Sequence, residues 1–75
     1  MDKKQLLREV RIFFYNSGFR NFKVLRVKNR YGRFVYGSYL FSGWSYRTGY
    51  LSKIFTLADL ERHYGNWGAF FGFSS

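Results

Sequence analysis

The side chains that could do covalent or acid–base chemistry in this chain are few. It holds one histidine, His63, no cysteine, and four carboxylates, Asp2, Glu9, Asp59 and Glu61. Without cysteine there is no thiol nucleophile, no disulfide and no thiolate zinc site. Asp59 and Glu61 stand two residues apart on a predicted helix, on different faces, and so do not form a carboxylate pair for acid–base work. His63 has no second histidine to work with and falls near a predicted helix end, where an exposed imidazole is ordinary. A hard-cation site would have to draw oxygens from both ends of the chain. Gly32, Gly37, Gly43 and Gly49 punctuate turns and strands, without the spacing of a phosphate-cradling loop that opens a helix. The inventory reads as non-enzymatic, with no metal and no cofactor.

What the chain has in quantity is positive charge and rings. Thirteen Lys and Arg stand against the four acids, for a net charge of +9 and a pI near 10.3. Between Glu9 and Asp59 lie forty-nine residues without an acid, carrying nine bases. The two ends balance to zero, so the whole excess belongs to the middle of the chain. A segment of one sign repels itself and is relieved by a polyanion. The plainer reading is a solubilising surface, but solubility in a small domain tolerates mixed signs and needs a smaller net charge.

The bases are interleaved with aromatics. Arg26, Lys28, Arg30, Tyr31, Arg33, Phe34 and Tyr36 fall in one run, followed by Trp44, Tyr46 and Arg47, with Lys53 beyond. Lys and Arg neutralise phosphates, and rings stack on unpaired bases for about 1 to 3 kcal/mol each. Arg outnumbers Lys eight to five, and the planar guanidinium suits phosphate and base edges. These residues are the candidate nucleic-acid contacts, for DNA or RNA. A second candidate patch is the tail, residues 66–75, where Trp67, Phe70, Phe71 and Phe73 are spaced by glycines. It could meet a partner protein or a second copy in a homodimer, or fold back to finish the core.

The elements that must position these residues follow from periodicity. Asp2 can cap a first helix in which Leu6, Val10, Phe13 and Phe14 recur at three- and four-residue spacing, and Gly18 can end it. Phe22 to Lys28 and Phe34 to Phe41 read as strands of a hairpin around Asn29-Arg30-Tyr31-Gly32, closed by a three-residue loop and a bulge. A two-residue loop at Tyr31-Gly32 would instead set Phe34 and Tyr36 with Leu25 and Val27; the three-residue register puts Leu25, Val27, Val35, Gly37, Tyr39 and Phe41 on a core face. It puts Val24, Arg26, Lys28, Phe34, Tyr36 and Ser38 on the other. Ser42-Gly43 reads as a bend, Thr48-Gly49 as a turn, and Tyr50 to Phe55 as a further strand. Thr56 is a good cap for a last helix with Asp59 three residues on, Leu57, Leu60 and Tyr64 as its stripe, and Gly65 as its stop. The expected fold is α+β: an N-terminal helix, an antiparallel sheet of three to four strands, and a C-terminal helix.

At seventy-five residues, this is one small basic domain spanning 1–75. The longest unbroken apolar stretch is Ile12 to Tyr15, and no apolar run follows Met1, so the expectation is a cytoplasmic protein with neither a spanning helix nor a signal peptide. Nineteen aromatic residues argue against disorder and exceed what so short a chain can bury completely.

Two functions follow as expectations. The first is a nucleic-acid-binding protein using a basic and aromatic sheet face and hairpin. In outline the chain is similar to small sheet-plus-helix DNA-binding domains, a likeness at the level of fold alone. The second is a protein-interaction factor acting on host nucleic-acid machinery. In size and genre the chain resembles the accessory proteins that phage and mobile elements use, such as anti-CRISPR proteins. A membrane partner ranks last, because the bases concentrate in the predicted sheet and not on the amphipathic first helix.

Overall fold

In a computed structural model describing residues 2–73, the chain runs α1 (Lys3–Asn16), β1 (Asn21–Lys28), β2 (Phe34–Ser45), β3 (Gly49–Thr56), α2 (Leu57–Arg62) and α3 (Trp67–Phe70). This is an α+β fold. Asp2 opens α1 by accepting the Gln5 backbone N–H at 2.8 Å, which satisfies a donor that the first helical turn leaves free. Leu6, Val10 and Phe14 form its buried stripe. Gly18, at φ +102°, takes the left-handed conformation past the helix end, where a side chain would be strained.

The sheet is a meander in the order β1-β2-β3, antiparallel throughout. Its first turn is the one the sequence predicts. The Asn29 backbone N–H donates to the Arg33 carbonyl, the Gly32 N–H donates to the Asn29 carbonyl, and Gly32 sits at φ +79°. The Asn29 side-chain oxygen accepts from the N–H groups of Tyr31 and Arg33, which fixes the loop from inside.

The expected division of faces is not observed. Lys28 pairs with Phe34 as the three-residue loop requires, but Arg26 pairs with Tyr39 instead of Tyr36. Three extra residues are taken up on β2 around Gly37, which lies at φ +80°. An odd slip exchanges the faces. Val24 therefore joins Tyr39 and Phe41 in the core, while Leu25, expected in the core, is half exposed on the opposite side. Val35 and Tyr36 are exposed as well. Gly43 is a second correction. It lies in mid-strand, opposite Phe22 and Leu51, and makes no bend. A β-carbon there would stand 2.7 Å from Phe22 Cβ and about 3 Å from the Phe41 and Phe19 rings, so the position is glycine because rings fill its space.

The core lies between α1, one sheet face and the C-terminal segment. Phe14 stacks on Phe41 with centroids 3.7 Å apart, and Phe19 meets Phe41 edge-on at 5.1 Å. Thr56 and Asp59 form a reciprocal capping box at the start of α2. After α2 the chain turns back. The indole N–H of Trp67 donates to the Leu60 carbonyl at 3.0 Å, and Phe71 packs against Phe14 and Phe55. No helix among the described residues is long and apolar enough to cross a membrane.

Candidate nucleic-acid interface

The outer residues of the β1–β2 hairpin, Lys28 to Tyr36, are all exposed. Arg26 and Lys28 alternate along β1 on the helix-bearing side, and the Lys28–Phe34 pairing brings Phe34 onto that side. The Arg26 guanidinium lies 3.8 Å from the Phe34 ring centroid, and the Lys28 ammonium 5.1 Å from the same ring. Arg30 reaches across the Tyr31 ring and donates to its hydroxyl at 2.7 Å. Lys3, at the start of α1, lies 5.3 Å from the Tyr36 ring and rims a hollow of about 150 Å³ with Arg26, Phe34, Tyr36 and Tyr39. The rings hold the long cationic side chains extended, which lowers the entropy cost of using them on a ligand. Tyr31 is 72% exposed and Tyr36 84%, so both rings remain largely open to solvent beside their cations.

Three of the four acids are occupied elsewhere. Asp2 caps α1, Asp59 caps α2, and Glu9 accepts the Tyr64 hydroxyl at 2.6 Å. That bond, then partial desolvation, then the Glu9 charge, raise the Tyr64 phenol above its ordinary value. These three serve helix ends and a contact between α1 and the residue Tyr64 that follows α2, and the sequence between Glu9 and Asp59 supplies no carboxylate to offset the hairpin.

The structure gathers Arg26, Lys28, Arg30, Tyr31, Arg33, Phe34 and Tyr36 on one arm, and separates the remaining candidates from it. Arg47 sits in the β2–β3 turn at the far end of the sheet. β1 runs seven steps from its Phe34 pairing to its Trp44 pairing, about 23 Å at 3.3 Å per residue. Lys53 faces inward: its ammonium donates to the Phe70 carbonyl at 2.9 Å and lies 4.6 Å from the Phe70 ring, which makes it a strut for the tail. The tail is core. Trp67 is 7% exposed, Phe71 2%, and Phe73 stacks on Phe13 at 5.5 Å, so Trp67, Phe70, Phe71 and Phe73 do not form an open patch.

The sheet face away from α1 carries the candidate Trp44, with Tyr46 beside it, and adds Tyr50, which the sequence reading took only as a strand residue. Across the three strands it presents the rows Asn21–Trp44–Tyr50, Lys23–Ser42–Ser52 and Leu25–Leu40–Ile54. Among the described residues no helix lies over it. Trp44 is 48% exposed and Tyr50 69%. Tyr46 meets Trp44 edge-on at 4.6 Å. The signal for this pair was present in the second turn: a hairpin closed between Ser45 and Gly49 must set residue 44 opposite residue 50.

Among the described residues no three His, Cys, Asp or Glu side chains gather where they could hold a metal ion. No family model, curated protein or solved structure matches this chain.

Proposed function

We propose that the protein binds nucleic acid without catalysing a reaction on it, using the β1–β2 hairpin to contact the phosphate backbone. The observation that carries this reading is the arm itself: Arg26, Lys28, Arg30 and Arg33 together on an exposed hairpin, with Phe34, Tyr31 and Tyr36 among them. A polyanion relieves the repulsion among those charges and releases counterions as it binds. Arg30 and Arg33 flank a rigid turn narrow enough to approach a groove or a single strand. Fluorescence anisotropy with labelled single- and double-stranded DNA and RNA, at about 50 to 200 mM salt, tests this. The expected result is affinity that falls steeply and linearly in the logarithm of salt concentration. Absence of binding at low salt, or binding indifferent to salt, removes the proposal.

A second reading has one observation in its favour. Leu25, Leu40 and Ile54 form an aliphatic row on the open sheet face, and such a row suits a protein partner. Under that reading the protein modulates host nucleic-acid machinery by contact, and a pull-down from nuclease-treated lysate recovers one stoichiometric protein.

A further inference from the structure

The Asn21–Trp44–Tyr50 end of the open sheet face lies about 23 Å along β1 from the Lys28–Phe34 pair of the arm, and the face points the other way. Trp44 and Tyr50 face each other across β2 and β3, with Tyr46 against the Trp44 ring. Two shallow hollows share Trp44 and Asn21 as walls. One, of about 410 Å³, also reaches Lys23, Ser42 and Tyr50. The other, of about 280 Å³, reaches Arg20, Ser45 and Tyr46. The Arg20 guanidinium is held in place by the Tyr15 ring at 3.9 Å and the Tyr15 carbonyl. Every nearby charge is positive, from Arg20, Lys23 and Arg47, and the three strands contain no carboxylate.

From this geometry we infer that the Trp44–Tyr46–Tyr50 cluster is a stacking platform for unpaired nucleobases, which makes single-stranded nucleic acid the preferred ligand. The inference rests on the nucleic-acid reading above and specifies it. Exposed rings take a base by its π-face whatever its identity, and only an unpaired base can leave its own stack to reach them. The Asn21 amide offers both a donor and an acceptor to a base edge beside the rings. Arg20, Lys23 and Arg47 lie where the flanking phosphates run. A duplex suits the face poorly, because it presents phosphates outward and would lay them on the Leu25–Leu40–Ile54 row, which offers them no hydrogen bond.

The two tryptophans make this testable. Trp44 is on the platform and Trp67 is buried, so a Trp67→Phe variant reports the platform alone. Unlabelled single-stranded and duplex oligonucleotides of equal length are titrated against it, and against Trp44→Leu/Tyr50→Leu. That double variant keeps apolar area on the strands while removing the rings, and its fold is checked by Trp67 emission and a thermal melt. The single strand is expected to quench Trp44. The double variant is expected to lose about tenfold or more in single-strand affinity while duplex affinity holds. If the double variant binds the single strand as well as the unsubstituted protein, or if both ligands weaken equally, the platform is refuted while salt-dependent binding by the arm still stands. Trp44 emission that tracks protein concentration alone assigns the face to a second copy and also refutes it. Failure of both oligonucleotides to bind at low salt refutes the nucleic-acid reading itself.

Discussion

Replacing Arg30 and Arg33 by Gln removes two of the four arm cations with little effect on the hairpin. The turn is held by backbone groups and the Asn29 side chain, and Gly32 keeps its positive φ. The Arg30 side chain bonds only to neighbouring Tyr31. With Arg26, Lys28, Arg30 and Arg33 each neutralising one phosphate, the slope of log affinity against log salt on duplex DNA is about −3.6, at about −0.9 per phosphate. Raising salt from about 50 to 200 mM then weakens binding about 150-fold. R30Q/R33Q leaves two contacts, a slope of about −1.8 and a loss of about 12-fold over the same range. On a single strand, at about −0.7 per phosphate, the arm contributes about −2.8 and the substituted arm about −1.4, so the variant's slope is shallower by about 1.4. Anisotropy titrations at four or more salt concentrations, with circular dichroism to confirm equal folding, measure both slopes. An unchanged slope in a folded variant refutes the assignment of phosphate contacts to the arm.

Three further outcomes follow from the packing. Gly43→Ala places a β-carbon 2.7 Å from Phe22 Cβ, and overpacking of this kind costs about 1 to 3 kcal/mol. A Tm within a degree of the unsubstituted protein contradicts the β1–β2 register. Lys53→Met breaks the bond to the Phe70 carbonyl, so urea melts show about 1 kcal/mol less stability while the salt slope on nucleic acid stays the same; a reduced slope makes Lys53 a ligand contact after all. Because the bond to Glu9 raises the Tyr64 phenol, the neutral form favours the folded state. Its contribution is complete below the unfolded value near pH 10 and disappears as pH rises through the raised folded value. Urea melts of Tyr64→Phe therefore differ from those of the unsubstituted protein at pH 8 and converge with them at strongly alkaline pH, and a gap independent of pH contradicts this.

Local signals in the sequence led to local structure. Asp2 capping α1, the loop at residues 29–32, and the Thr56–Asp59 box all depend on residues within a few positions of one another, and each formed as expected. The face assignment failed because it depends on a count carried across the hairpin. One glycine at positive φ, Gly37, changed that count by three and exchanged the roles of Val24 and Leu25. The arm kept its composition through that error, since Lys28 and Phe34 lie on the loop side of the slip and Arg26, just beyond it, stays beside the Phe34 ring. Gly43 read as a bend because glycine is most often a turn residue; two of the three phenylalanines that crowd it here, Phe19 and Phe22, come from positions far earlier in the chain. Lys53 and the tail were equally out of reach of local reasoning. A lysine in a strand reads as exposed until a carbonyl 17 residues later arrives to accept from it.

Backbone amide shifts recorded by NMR while an unlabelled single-stranded oligonucleotide is added would locate the ligand on the fold. Perturbations concentrated at residues 26–36, with a second set at 20–23 and 44–50, are the predicted footprint. Shifts confined to α2, α3 and the Glu9–Tyr64 contact, or none at low salt, would contradict binding by the arm.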